Sequence, residues 1–354
     1  MSVLFVGDTS FGEYYQRISS LKGRGSVLAR MGYVYPMENF RKILGDSFFV
    51  FANMESPVTS ISISPYMGRK KYINADKPGI APVVLKKHNF GAVSLANNHS
   101  GDFGHAGLED TARNLSMNGI DTFGAGKDIE NAARPYILSV PVSDSEIMLC
   151  VVPGLEYRDR YKNEYRYYAG ESYPGVALLS PVLTGNLIRS IRKRYPRVLL
   201  VVYPHWGVNY SWRNRSQRRT AESLIRAGAD LIIGHGAHHF QEIENISGKW
   251  VVYNTGNFMF NSPGRYRETG AHPYSLIAGL KISHDKNGYS AVLRLYPIHT
   301  DNMKNRYRGR FLSEKEFAAA SAMLMDKSGF NGNITHVPER GRDKYGPYLE
   351  LRVR

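Results

Sequence analysis

Short apolar runs recur along the chain with amphipathic stretches between them: Val3 to Val6, Phe48 to Ala52, Ala92 to Ala96, Ile147 to Val152, Val198 to Tyr203, Leu231 to Ile233 and Trp250 to Tyr253. Runs of this length bounded by polar turns predict strands, and the amphipathic stretches predict helices over 78–88, 105–118, 181–195 and 214–227. The alternation predicts an α/β fold, with helices packed outside a sheet. Beyond Gly270, residues 274–283 and 289–297 alternate apolar with polar, as antiparallel strands do. Ser313 to Met325 then reads as a helix, with Ser313 as N-cap and Glu316 closing a capping box. Lys327 to Arg354 is rich in Gly, Arg and Pro, so an irregular tail wrapping the surface is expected. The resulting division is a main domain over 1–300 and a C-terminal helix with a basic tail over 301–354, packed on it.

Composition sets the sign of the partner. Of 354 residues, 46 are Lys or Arg against 31 Asp or Glu, a net charge of +15 that attracts anions, small or polymeric. Nucleic acid fits that charge, but no module that reads it is recognisable, so no specific nucleic acid is expected. The hydrophobic share of 42% suits one large core, or one core and a smaller lobe. Met1 to Asp8 passes straight into a strand, without the basic start and apolar stretch of a signal peptide, and no transmembrane run follows. A cytoplasmic location is expected. The single cysteine, Cys150, lies inside an apolar run and reads as a small core residue.

The polar residues then fall in one place relative to the strands. Asp8, Asn53 with Glu55, Asn97 to His99, His205, His235 with His238, and Asn254 each stand just past the C-terminal end of a predicted strand. Parallel strands bring those ends together, and the crevice beyond them is where such folds bind ligands. Carboxylates, an amide and several imidazoles suit Mn, Fe or Zn, because Mg and Ca want oxygen alone. One ion, or two sharing a carboxylate, would fit this number of ligands. Taken singly, Asp8 reads as a turn cap and His99 as a satisfied core histidine, while Glu55 is undecided between a surface carboxylate and a ligand. The "GHGAHH" segment reads as a metal site, since Gly234 and Gly236 permit close backbone approach, with His239 behind it.

The ordered motifs "VGDTSFG", "ANMESPVT", "KYIN", "SLANNHSGDFG", "VYPHWGVNY", "GHGAHH" and "VVYNTGNFMF" resemble the CapA proteins of bacterial poly-gamma-glutamate capsule synthesis, relatives of the calcineurin-like metallophosphoesterases. The resemblance covers roughly the first 280 residues and implies a four-layer α/β/β/α sandwich, metallophosphatase-like. It implies metal ligands at Asp8, Glu55, Asn98, His205, His235 and His238, a general acid at His99, and Asn97 beside it holding the loop. Substrate contacts are expected from Asn53, Lys71, Trp206, Arg213 and Asn254, in or beside the same motifs. The chain departs from the wider superfamily at Thr9-Ser10, where Asp-x-His is usual, and at Glu55, where a bridging Asp is usual.

The implied activity is hydrolysis of a phosphoester or gamma-glutamyl bond by metal-activated water, with His99 protonating the leaving group. A non-catalytic binding protein for capsule or polyglutamate assembly is the alternative, and a nucleic-acid-binding protein a further one. Two basic aromatic segments, 157–168 and 209–219, read as a lid and a site rim or, more plainly, as solvated faces in which Arg218 and Arg226 pair with Glu222.

Overall fold

A computed structural model describes residues 2–13, 26–143, 145–285, 288–330 and 336–354. Its strands sort into two large sheets because successive side chains face opposite ways and both faces are apolar. In the strand Ser2–Ser10, Val3 and Phe5 enter the core between the sheets, while Leu4 and Val6 enter a second core beneath the outer helices. In Leu199–His205, Leu199, Val201 and Tyr203 face the inter-sheet core, and Leu200 and Val202 face a third core under the helices on the other side. Three cores separate four layers: helices, sheet, sheet, helices. The α/β/β/α expectation holds.

The larger sheet runs Glu339–Asp343, Gly346–Arg352, Gly288–His299, Tyr274–Asp285, Ser2–Ser10, Phe49–Met54, Phe90–Ser94, Asp121–Phe123. From Ser2–Ser10 to Asp121–Phe123 the strands are parallel, and Asn257–Phe260 pairs in parallel with the end of the first. The smaller sheet runs Ile243–Ile246, Lys249–Val252, Leu231–Ile233, Leu199–His205, Ser145–Glu156, Tyr136–Val142, with a parallel centre and antiparallel edges. Buried Tyr203 joins the two sheets, its hydroxyl donating to the carbonyl of Val6.

The helices Pro181–Arg194 and Arg215–Ala227 cover the smaller sheet. Ser180 caps the first, and Asn214 with Gln217 forms a capping box on the second, which stops at Gly228 in the left-handed region. Glu314–Lys327 forms with the expected Ser313–Glu316 box. No helix among the described residues is long and apolar enough to cross a membrane. Cys150 is fully buried, and burial pushes its thiol up to about 12.

The tail departs from expectation. Glu339–Asp343 and Gly346–Arg352 form a hairpin whose second strand pairs with Gly288–His299, so these residues extend the sheet rather than wrap it irregularly. Leu349, Leu351 and Val353 alternate inward and fill the inter-sheet core, a period masked in the sequence by the charges between them. The strand Tyr136–Val142 was likewise absent from the sequence reading. It is an edge, half-exposed, and Pro141 breaks its pattern.

Asp230 pins the smaller sheet to its helices. Its carboxylate accepts from the backbone N–H of Leu200 at 3.0 Å, from Arg192 at 2.6 Å and from Lys249 at 2.9 Å. Burial opposes its ionisation, but these donors hold the carboxyl below its ordinary range. The contribution to stability is therefore complete above the unfolded-state pKa and declines as pH falls through the folded one. Asp230→Ala is expected to cost about 2 to 3 kcal/mol in urea unfolding at neutral pH, because a buried N–H and two cations lose their acceptor. The gap to wild type should narrow as the solution is acidified.

Candidate metal centre

Strand register builds the centre. In the smaller sheet Val201 pairs with Leu231 and Val202 with Ile232, and the same offset continues to a bridge between His205 and His235. Backbone bonds from Trp206 N–H to His235 O (2.9 Å) and from His235 N–H to Pro204 O (3.0 Å) fix that bridge. In the larger sheet Asp8 lies between Asn53 and Asn257 on its two neighbouring strands. The sheets face each other, so the ends of both meet at Asp8.

The Asp8 carboxylate is fully buried and surrounded by donors. Oδ1 accepts from Asn53 Nδ2 at 2.9 Å and lies 3.6 Å from His235 Nδ1; Oδ2 accepts from Gly236 N–H at 3.2 Å and lies 3.4 Å from His238 Nδ1. His205 Nδ1 is 3.1 Å from His235 Nδ1, and His205 Nε2 is 4.0 Å from Glu55 Oε1. Two ligand groups result, Asp8–His205–His235 and Asp8–Glu55–His238, each with its donor atoms within 4.8 Å of one another. Asp8 belongs to both.

Burial opposes ionisation of Asp8, yet the bonds from His235 and His238 hold its carboxyl well below the usual range. Burial, with the Asp8 charge, pushes Glu55 well above it. Burial also lowers His205 and His235, which leaves both imidazoles neutral, the form that binds metal. Among the described residues, Glu55 Oε2 and His235 Nε2 are buried with no hydrogen-bond partner. Unsatisfied buried polar atoms are costly, and a divalent ion suits this donor set of two carboxylates and three imidazoles.

Backbone geometry is spent on holding these side chains. His238 and Tyr210 both have positive φ, +65° and +58°, in the region that costs a side-chain-bearing residue about 1 kcal/mol or more. They are tied together: Tyr210 N–H donates to Ala237 O at 2.8 Å, and the two rings lie 5.3 Å apart. Gly236, at φ +109°, lies against His205, where a Cβ would stand 2.9 Å from Nε2.

The loop after Phe90–Ser94 supplies the other wall. Asn97 Oδ1 accepts from the N–H groups of His99 (3.0 Å) and Ser100 (2.9 Å), and its Nδ2 donates to Asn53 Oδ1 (2.9 Å) and Met54 O (2.8 Å). His99 Nδ1 lies 2.8 Å from Asp102 Oδ2, and Lys70 Nζ bonds the other Asp102 oxygen and the carbonyl of Asn98 (2.6 Å). Burial, then the Lys70 charge, lowers His99, with Asp102 opposing.

The model of the family described as bacterial capsule synthesis protein PGA_cap matches residues 2–262. The chain belongs to this family. It is 30% identical to the PGA biosynthesis protein CapA of Bacillus subtilis over 262 residues, 74% of this chain and 63% of that protein. It is 26% identical to the capsule biosynthesis protein CapA of Bacillus anthracis, covering 96% and 80%, and 25% identical to a probable polyglutamine synthesis accessory protein of Mycobacterium tuberculosis, covering 86% of each. The chain thus spans less than two thirds of the length of the Bacillus subtilis relative.

Against this family background, the structure gathers Asp8, Glu55, His205, His235 and His238 in one place. The carboxylate common to both groups is Asp8, not Glu55, which stands where the wider superfamily has its bridging Asp. Asn98, expected as a ligand, is half-buried, and the contact it shows is its carbonyl accepting from Lys70. Asn53 orients the ligands, with Nδ2 also 3.3 Å from His205 Nδ1. The other expected substrate contacts sit elsewhere. Trp206 is buried in the outer core with its indole N–H on Tyr253 O, and Asn254 is fully buried, its Oδ1 accepting from Gly256 N–H. Arg213 lies over the Tyr253 ring. Lys71 is exposed over Tyr72, because neighbouring side chains in a non-helical turn diverge and Lys70 takes the inward direction.

Sequence reasoning missed Lys70, Asp102 and Asn257. Asp102 stands three residues after His99, a visible spacing; Asn257, whose Oδ1 is 2.9 Å from His238 Nδ1, sits three residues past the asparagine chosen instead. The basic aromatic segments are mainly structural. Tyr165, Tyr167 and Tyr168 are buried, Arg158 donates to Gly207 O behind His205, and Trp212 packs on His239 and His272. Arg218 pairs with Glu222 as expected, and also with Glu244.

Asp8→Asn is expected to abolish stoichiometric binding of manganese or zinc, since both ligand groups lose the shared charge; Gly236→Ala should weaken it by displacing His205. Metal analysis after dialysis checks both. Binding should strengthen as pH rises, because the ion must displace the proton that burial and Asp8 keep on Glu55, whereas neutral His205 and His235 release none. Calorimetry in buffers of differing ionisation enthalpy reads that proton directly, and an affinity that fails to strengthen as pH rises would contradict this account.

Proposed function

We propose that this family member is a metal-dependent hydrolase of an anionic substrate, a phosphoester or gamma-glutamyl amide, in capsule or poly-gamma-glutamate biosynthesis. The observation that carries the reading is one buried carboxylate, Asp8, common to two ligand groups whose other members include orphaned polar atoms on Glu55 and His235. The relatives' names tie them to PGA, capsule and polyglutamine synthesis, and a charge of +15 suits a polyacid.

Asp8, His205 and His235 would hold one ion, and Asp8, Glu55 and His238 a second, with Asn98 able to add an amide oxygen. A divalent ion there supplies a Lewis acid and lowers the pKa of water toward neutrality. The chain's own residues do the remainder. His99, its Nδ1–H donating to Asp102, would deliver a proton from Nε2 to the departing oxygen or nitrogen as the imidazolium, the charge that Asp102 favours, and the proton released by the attacking water would restore it. Lys70 fixes Asp102, and Asn97 fixes the turn that carries the ring. The new bond runs from water oxygen to phosphorus or carbonyl carbon, and the bond to the leaving group breaks as it takes the His99 proton.

One observation favours a non-catalytic binding role. Ser10, where the wider superfamily carries a histidine ligand, spends its hydroxyl oxygen accepting from Gly12 N–H and Asn74 Nδ2. Turnover decides between them: manganese-loaded protein should hydrolyse aryl phosphates or gamma-glutamyl anilides. His99→Ala should retain the bound metal and lose about 100-fold or more in kcat. Equal kcat in this variant would remove His99 from the chemistry.

A further inference from the structure

A cavity of about 770 Å³ has Arg265, Tyr266, Arg267, Glu268, Asp301 and Lys304 in its lining, and Tyr266 connects that lining to the candidate metal centre. One of these residues touches the candidate ligand His238 and a second touches the ring packed on it. Tyr266 donates its hydroxyl to the His238 carbonyl at 2.9 Å, and the Arg265 guanidinium lies 5.3 Å from the centre of the Tyr210 ring, which in turn covers His238. Among the described residues, Arg265, Arg267 and Lys304 form no salt bridge with a carboxylate. Of the two acids, Asp301 is committed to capping the short helix that follows it, accepting from Met303 N–H at 3.0 Å. A guanidinium carries five N–H donors in a planar fork, and those not turned to a neighbouring group can grip a carboxylate or a phosphate.

We propose that this cavity binds a second oxyanion of the substrate, a carboxylate or phosphate next to the group at the metal centre, with Arg265 as its principal contact. The site would then select a polyanion over a molecule with one charged group. The identity of the ligand as substrate rests on the hydrolase reading; the binding itself does not.

Calorimetry on the metal-loaded full chain tests this with two probes, an oligo-gamma-glutamate and tripolyphosphate, against wild type, Arg265→Ala and Arg267→Gln. The expected result is binding of at least one probe by wild type, weakened about tenfold in Arg265→Ala and by a smaller factor in Arg267→Gln, with metal content unchanged. The preferred probe reports whether the oxyanion is carboxylate or phosphate. Because Arg267 is exposed, its variant remains informative if Arg265→Ala unfolds. Equal affinities across the three proteins, or no binding of either probe by wild type, would overturn the proposal. Polyanion binding without turnover would sink the hydrolase reading alone.

Discussion

A carboxylate sealed from water is the constraint around which this molecule is arranged. Removing a charge from solvent costs several kcal/mol, and Asp8 recovers that cost only where the Gly236 N–H, the Asn53 amide and two imidazoles converge. Those partners come from both sheets. The sheets must therefore sit face to face in one alignment, and Tyr203, bonded to the backbone two residues before Asp8, locks that alignment from the core side. The positions of the other candidate ligands follow from this seam.

Rigidity and strain are distributed accordingly. Regular pairing carries His205 to the centre and a single further bridge carries His235, so these two rings are set by strand geometry. His238 arrives differently, on a left-handed turn coupled to an equally strained Tyr210, and depends on aromatic packing and Asn257 for its direction. Fixed rings on one side face a ring held by coupled loops on the other. The His99 wall is ordered by side-chain bonds of Asn97 and Asp102, and Asn97 ties it to the strand Phe49–Met54 through Asn53 and Met54.

Much of this was readable in the sequence because the same residues serve local and global structure. Apolar runs ending in Asp8, His205 or His235 state both a strand and the place where it stops, and parallel topology brings those ends together. What could not be read was direction. Lys70 and Lys71, or Asn254 and Asn257, are equivalent by residue type; a turn's dihedrals decide which one faces inward. Trp206 follows a ligand immediately and so faces the opposite side of the strand end, into the helix-covered core. The C-terminal hairpin escaped notice because Glu339–Asp343, an edge strand wet on most of its surface, has no apolar face to announce it.

That hairpin gives the larger sheet a guarded border. Without it, the long strand Gly288–His299 would expose much of its outer row of amides and carbonyls, inviting pairing with another chain. Glu339, Arg340, Arg342 and Asp343 place fixed charges along the border instead, so any incoming strand would have to desolvate them. The hairpin thus keeps this edge from pairing with another chain, although it stands far in sequence from the candidate metal centre and beyond the segment that the family model matches.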